Sequence, residues 1–358
     1  MTNSIFSNKF LQSLLRRLGK PIDNNNINFQ TEILCPQEIS EVCPATYIEE
    51  HLSRITGSNE HTSLENEHAT LLSREIKHSP TILLQIDNVR LFGGGIYSTD
   101  RNCLPRRVIE NQDLPPVNLA KALLVDNDIT QTYFGHWFTD QISSALVATP
   151  EMPALALNTP KYTHALGYEE IFQTATRYAQ HGRVDQLYWL SDFSQNSYKV
   201  KRYQQLRQRA EQFLLPESSS SAGVYIARGN SGTKRTLVNE QELINHLIDR
   251  GFTIIHPEAM TPEMIVRSLW NAPVVISVEG SQIAHTIHTI SRSACVLILM
   301  PPNRVSHIFK GIFDAIGNIA YGFYVCATTN DVQGFYVDSF SDLDNLIERL
   351  KDSAARRG

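Results

Sequence analysis

The chain has 358 residues, 32 Lys+Arg against 37 Asp+Glu, a net charge of −5 at pH 7 and 42% hydrophobic residues. That length suits two domains and that apolar share fills two cores, which excludes global disorder. No apolar run nears the ~18–20 residues of a membrane span, and the slight acidity speaks against a dedicated nucleic-acid binder.

Phe6, Phe10, Leu11, Leu14, Leu15 and Leu18 recur at helical spacing among Lys9, Arg16, Arg17 and Lys20, which predicts a short basic amphipathic helix. Its readings are peripheral contact of residues 6–20 with an anionic membrane surface or, more commonly, docking on the chain's own fold. Without a signal-peptide pattern the expected compartment is the cytoplasm, with membrane association resting on that helix. Residues 52–79 are polar and read as a flexible or variable insert. Thr81–Leu91 reads as strands with turns. Gly93-Gly94-Gly95 reads as a turn or bulge, because no helix follows as a nucleotide fingerprint requires. A strand over 122–125 precedes a helix over 133–148, and further helices are expected around 168–180 and 198–213.

Pro216-Glu-Ser-Ser-Ser-Ser-Ala-Gly223 reads as a linker. Beyond it the pattern becomes regular. Val224–Ala227 is a strand, and Asn239 with Glu242 predicts a capping box opening a helix that Gly251 ends. Strand 252–256 follows, then Thr261-Pro262 as cap and first helical residue. Strand 273–278, helix 281–290, strand 294–299, helix 304–316, strand 320–327 and helix 342–350 complete the series. Helices alternating with unbroken Val/Ile strands predict a parallel sheet covered on both faces. The architecture expected is α/β, with two α/β domains, the second Rossmann-like, facing a cleft that holds the chemistry.

Three segments carry candidate chemistry. The loop Arg228-Gly-Asn-Ser-Gly-Thr-Lys234-Arg235 follows a strand and offers two glycines, two hydroxyls and guanidinium forks, an arrangement suited to phosphate oxygens. It is not a Walker A loop, and an exposed basic loop is the competing reading. Ser277-Val-Glu279-Gly280-Ser281-Gln282 sits where a strand meets a helix, so its N–H groups suit an anion and Glu279 suits ribose hydroxyls; plain helix capping by Ser281 is the alternative. In Tyr133-Phe-Gly-His136-Trp-Phe-Thr-Asp140, helical spacing puts His136, Asp140 and Ser143 on one stripe. A His–carboxylate pair of this kind suits general-base work, and a satisfied buried histidine is the bland alternative. Asp126-Asn-Asp128 reads as a turn, and His285 and His288 lack a third ligand at metal spacing, so no metal site is expected. The five cysteines (Cys35, Cys43, Cys103, Cys295 and Cys326) support neither a disulfide framework nor a zinc ribbon, and read as core residues.

Together these pieces resemble glycosyltransferase family 61. The resemblance rests on Tyr133-Phe134-Gly135-His136-Trp137 with Asp140, on Tyr225-Ile226-Ala227-Arg228 through Arg235 to Asn239-Glu240, on Gly251-Phe252 to His256-Pro257-Glu258, and on Ser277–Ser281 with His285. Here Glu279 stands where the family pattern has His, and Gly135 is an extra residue before His136. The resemblance implies a GT-B-like fold of two Rossmann-like domains: an amphipathic and variable region at 1–78, an acceptor-side domain at 79–217, a nucleotide-sugar domain at 218–335 and a final helix at 336–358, whose stretch 342–350 suits the crossing back to the first domain often seen in such folds.

It also implies inverting, metal-independent sugar transfer from a nucleotide-sugar, expected to be UDP-linked, to a glycan or lipid-linked glycan acceptor in polysaccharide biosynthesis. His136 would act as base, with Asp140 orienting it or serving as base itself. Arg228, Lys234, Arg235, Asn239, Glu279, Gly280 and Ser281 would bind the donor. No cofactor beyond that donor is implied. The alternative is a non-catalytic nucleotide-sugar or glycan-binding relative. A dinucleotide enzyme is disfavoured because no GxGxxG stands at a strand–helix junction.

Overall fold

The computed structural model describes residues 30–59, 62–98, 101–104, 112–229, 235–328 and 334–357. The expected helix at 6–20, Lys234 and the Cys103 side chain lie outside these. The chain divides into two compact units, Met1–Glu38 with Ser79–Arg202 and Ile39–His78 with Tyr203–Gly358.

The first elements are strands β1 (Gln30–Cys35) and β2 (Glu38–Glu41), helix α1 (Leu64–Leu72) and strand β3 (Glu75–His78). Residues 62–78 are therefore not the flexible insert their polarity suggests. Ser63 caps α1 by accepting from the Asn66 N–H, and Leu71 is buried in one of the second unit's two cores.

The first unit is built on a sheet of eight strands in the order β6-β5-β4-β10-β7-β8-β9, with β1 also on β4. Strand β4 (Thr81–Phe92) is one continuous strand rather than strands with turns, with Asn88 at φ 54° as its single irregular residue. It turns through Gly93 (φ 54°) and Gly94 (φ 73°) into β5 (Gly95–Ser98), so the glycine triplet makes a hairpin turn, as expected. Strand β6 (Arg101–Leu104) continues the meander. Then come β7 (Val117–Leu124), α2 (Asp128–Thr132), a helical run over 134–145, β8 (Ala154–Ala156), α3 (Ala165–Ile171), β9 (Thr176–Tyr178) and β10 (Gly182–Ser191).

Strands β10, β7, β8 and β9 are mutually parallel, whereas β10 meets β4 antiparallel. The first unit's sheet is thus mixed, its parallel strands β10, β7, β8 and β9 joined to an antiparallel meander. Short hairpins along 81–104 can only make antiparallel neighbours. The helix expected over 168–180 ends at Ile171 because Gln173 turns left-handed (φ 50°) and the Thr174 N–H bonds back to the Glu169 carbonyl.

Helix α4 (Ser197–Leu214) contains the boundary between the units, so Pro216–Gly223 is not the interdomain linker. There the Ser219 N–H is bonded to the Trp270 carbonyl within the second unit. That unit continues with β11 (Gly223–Ile226), α5 (Glu240–Ile248), β12 (Phe252–Ile255), α6 (Pro262–Leu269), β13 (Val274–Val278), β14 (Cys295–Met300), α7 (Ile308–Gly317), β15 (Ala320–Val325), the pair β16 (Ala327–Thr328) and β17 (Phe335–Tyr336), and α8 (Phe340–Ala355).

Its sheet is wholly parallel, in the order β12-β11-β13-β14-β15. Every residue of β13, β14 and β15 is buried, as the unbroken apolar runs require. One face packs on α5 and α8, the other on α6 and α7. Leu343, Leu346, Ile347, Leu350 and Ala354 form the apolar stripe that seats α8 in this unit's core.

Thr261 and Gly251 punctuate as expected: the Thr261 hydroxyl accepts from the Met264 N–H, and Gly251 sits at φ 77°. The capping box does not form. Asn239 makes no cap bond and instead clamps the Val337 backbone, donating to its carbonyl (2.8 Å) and accepting from its N–H (3.1 Å). Asn239→Ala should therefore lower the unfolding free energy by about 1–3 kcal/mol in a urea titration, as two lost hydrogen bonds imply. Glu242→Ala should leave it nearly unchanged; the reverse ranking would restore the capping box.

Candidate active site

The run over 134–145 is not a plain α-helix. Phe134–His136 and Ile142–Ala145 are α-helical, and Trp137–Gln141 between them is a π turn. An i→i+5 turn holds one more residue than an α turn, which is how a helix absorbs an added residue such as Gly135. One face of this run is fixed by an aromatic cluster. Phe138 meets Tyr168 edge-on at 4.7 Å, Phe134 meets Tyr162 at 5.5 Å, and Tyr168 stacks on Phe172 at 5.7 Å.

With that face anchored, His136 and Asp140 form a pair. His136 Nδ1 lies 2.7 Å from Asp140 Oδ2, with the His136 side chain 38% exposed. A carboxylate at Nδ1 fixes the tautomer with its proton there and leaves Nε2 to accept a proton from outside.

The other Asp140 oxygen accepts from Lys199 Nζ on α4, which is fully buried. Lys199 also donates to the Asp192 carbonyl (2.9 Å), and Arg202 Nη2 donates to Asp192 Oδ2 (2.6 Å). Thr81 supplies the other Asp192 oxygen with a bond of 2.7 Å. Burial alone would raise the Asp140 pKa. The Lys199 charge and the His136 bond outweigh it and hold this carboxyl well below the usual carboxylate range. Asp140 is thus a poor proton acceptor and a good orienter. Beside it, at the carboxyl ends of β7 and β10, is a cavity of about 20 Å³ lined by Asp140, Asn127, Ser144, Trp189 and Asp192, enough for one water molecule. The Lys199 network was not found from the sequence. A lysine in SYKVKRYQQLRQR reads as solvated surface, and only the fold shows its burial.

A second cluster stands in the second unit. In the strand order observed there, the chain reverses direction between β11 and β13, and ligands of open parallel sheets bind outside the carboxyl ends of the strands at such a point. Arg228 follows β11, and Glu279 and Gly280 follow β13. Arg228 Nη1 and Arg235 Nη1 both donate to the Glu279 carbonyl, at 3.2 and 2.9 Å. Arg235 Nη1 also pairs with Glu279 Oε2 at 3.1 Å, and Arg304 Nε lies 3.7 Å from the same oxygen. Arg228 Nη1 reaches Gln282 Oε1 as well (3.0 Å).

Gly280 makes this convergence sterically feasible. A Cβ there would stand 2.1 Å from Arg228 Nη1 and 2.8 Å from Arg235 Nη1, and its φ of 152° suits only glycine. Burial lowers the pKa of Arg228, and that of Arg235 to about 10, despite the opposing pull of Glu279. Burial likewise raises that of Glu279, against the arginines. The Arg235 side chain is 10% exposed and its Nε finds no acceptor among the described residues. Glu279 faces Arg235 and Arg304, and the charges of Glu279, Glu240 and Glu258 also act on Arg228.

The structure thus brings His136 and Asp140 together in the first unit, and Arg228, Arg235, Glu279 and Gly280 together in the second. Asn239 is bonded through its side chain to the Val337 backbone. Ser281 begins a six-residue 3₁₀ turn (Ser281–Thr286), with Gly280 at its N-cap position, rather than a helix reaching 290. So short a turn carries little of a helix dipole. Asn127 and Thr130 form the reciprocal cap of α2, and buried Asp126 accepts from the Leu157 N–H, so Asp126–Asp128 is a structural turn as expected. Among the described residues no group of three or more His, Cys, Asp or Glu could hold a metal, and no helix is long and apolar enough to cross a membrane. Arg304 was missed; the loop after β14, at the same sheet edge, was the signal that could have flagged it.

The family model of Glycosyltransferase 61 matches residues 134–305, from the helical run of His136 to the loop of Arg304. That match spans just under half of the chain, and over this stretch the chain is similar to glycosyltransferase family 61. No curated protein matches it. Among solved structures it is similar to the flavodiiron core of Flv1 from Synechocystis sp. PCC6803, with 12% identity, 50% of this chain and 44% of that chain covered, and a TM-score of 0.26. It is also similar to the flavodiiron protein from Giardia intestinalis, with 7% identity, 54% and 46% covered, and a TM-score of 0.23. It spans under half the length of either, and scores this low carry no argument.

Since the Asp140 pKa is depressed in the folded state, its stabilising contribution is complete above the unfolded-state pKa of about 3.9 and is lost as pH falls through the folded value. The stability gap between the wild type and Asp140→Asn should be constant from pH 5 to 7 and shrink below pH 4 in urea titrations. A gap that widens on acidification contradicts the assignment. Gly280→Ala should destabilise by about 1–3 kcal/mol through backbone strain alone.

Proposed function

We propose that the protein is an inverting, metal-independent glycosyltransferase of GT-B type, acting on a nucleotide-sugar, UDP-linked, and a glycan or lipid-linked glycan acceptor in polysaccharide biosynthesis. The observation that carries the donor half is the set of guanidiniums, Arg228, Arg235 and Arg304, gathered at the carboxyl ends of the parallel strands beside Gly280. Guanidinium forks grouped at such a place suit the oxygens of a diphosphate.

In this reaction the acceptor oxygen bonds to the anomeric carbon. The bond from that carbon to the diphosphate oxygen breaks, its electron pair leaving with the diphosphate. The hydroxyl proton passes to Nε2 of His136, the atom that the Asp140 bond leaves available. Asp140 orients the ring and steadies its charge, and Lys199 keeps Asp140 ionised. Arg228 and Arg235, with Lys234 of the same loop, offset the charge growing on the leaving group, the part a metal plays in other transferases. Glu279 positions the arginines and Gly280 keeps them close, with Ser281 at the edge of the same turn. The expected cytoplasmic location and the peripheral membrane contact through residues 6–20 belong to this proposal.

Arg228→Ala should lower kcat/KM by about 10²–10³, as for loss of one electrostatic donor. His136→Ala should cost about 10²–10⁴ in kcat. EDTA should leave turnover unchanged. UDP at about 100 times its Kd should add about 2.7 kcal/mol of stability in thermal unfolding. Selective UDP binding with no transfer to any acceptor would favour the non-catalytic relative; full activity of His136→Ala would remove the base assignment.

A further inference from the structure

The second unit holds another histidine–carboxylate pair. His307 ends the loop that leaves β14 and precedes α7. Its Nδ1 lies 2.6 Å from Glu67 Oε2, and its own N–H donates to the same oxygen at 2.5 Å. Glu67, on α1, is fully buried, and its other oxygen accepts from Asn59 at 2.8 Å. The loop is held from both sides. The Thr56 N–H donates to the Pro302 carbonyl (2.8 Å), the Val305 N–H donates to the Gly57 carbonyl (3.1 Å), and a Cβ on Gly57 would meet the Asn303 oxygen at 2.8 Å. A carboxylate buried 240 residues away in sequence therefore orients an imidazole that is itself 31% exposed.

The same loop carries Arg304, which lies against Glu279 in the arginine cluster. Glu67 is near enough for its charge to act on Glu279. Strand ends β11, β13 and β14 thus each contribute to one edge of the sheet: Arg228 from the first, Glu279 and Gly280 from the second, Arg304 and His307 from the third. With Nδ1 committed to Glu67, the ring atom left for a ligand is Nε2, which has no hydrogen-bond partner among the described residues.

We propose that His307, oriented by Glu67, is a ligand-contact residue that donates from Nε2 to a phosphate oxygen of the nucleotide diphosphate. The inference rests on the donor-site reading above and adds a residue that reading does not contain. In this contact Nδ1 stays with Glu67 while Nε2 meets the phosphate oxygen. The same loop carries Arg304, and the buried Lys310–Asp314 pair follows in α7. No proton is transferred in this contact; the hydroxyl proton still goes to His136.

The test is calorimetric titration of the full chain with UDP and, separately, with uridine. His307→Asn is the informative variant, since its amide keeps a donor near the Nδ1 position toward Glu67 while deleting Nε2. UDP affinity should fall about ten- to hundredfold and uridine affinity should not change, because the contact is to phosphate. Glu67→Gln should weaken UDP in the same direction. Equal weakening of UDP and uridine, or unchanged UDP binding where Arg228→Ala abolishes it, would overturn the His307 assignment alone. A wild type that binds no UDP would overturn the donor-site reading and this inference with it.

Discussion

A charge removed from water must be met by charge or by hydrogen bonds, and each unit of this protein is organised around that demand. In the first unit the buried ammonium of Lys199 draws Asp140 and Asp192 to itself, and through Asp140 it reaches His136. In the second the buried carboxylate of Glu279 faces Arg235 and Arg304, while its carbonyl takes Arg228 and Arg235. Removing any one member strands the others, so these clusters constrain the loops that bear them more tightly than apolar packing would.

Both units use the same device to aim an imidazole. Asp140 does so for His136 within one helical run, and Glu67 does so for His307 across the fold. The two differ in what surrounds the carboxylate. Asp140 is shared with a lysine, which stabilises its charged form, whereas Glu67 accepts from a backbone N–H and an asparagine. A histidine whose partner is held ionised suits proton transfer, and one beside a cluster of arginines suits anion binding.

Periodicity was most legible where burial is two-sided. The apolar runs of β13 and β14 and the alternation after Gly223 predicted the parallel sheet correctly, because such strands have no polar face to disguise them. The pattern misled where local chemistry had a tertiary alternative. Asn239 looked like a cap because Glu242 follows at the right spacing, yet Val337, far along the chain, takes its amide. The polar stretch at 62–78 looked unable to bury anything, but Glu67 is buried by partners the local sequence does not contain. The strand β10 (Gly182–Ser191) went unread because Asp185-Gln186 and Trp189-Leu190 break the period of two between stretches that read as helix.

The sequence by itself determined the class of chemistry. The His136–Asp140 spacing, the arginine-bearing loop after a strand and the glycine beside Glu279 are local patterns, and they sufficed for a glycosyltransferase family 61 reading that the family match at 134–305 supports. Tertiary structure alone decided which groups meet: Lys199 with Asp140, Arg304 with Glu279, Glu67 with His307. The reason is physical. A side chain's spacing along a helix or strand is set by its neighbours in the chain, but its desolvation and its charge partners are set by whatever the fold places against it.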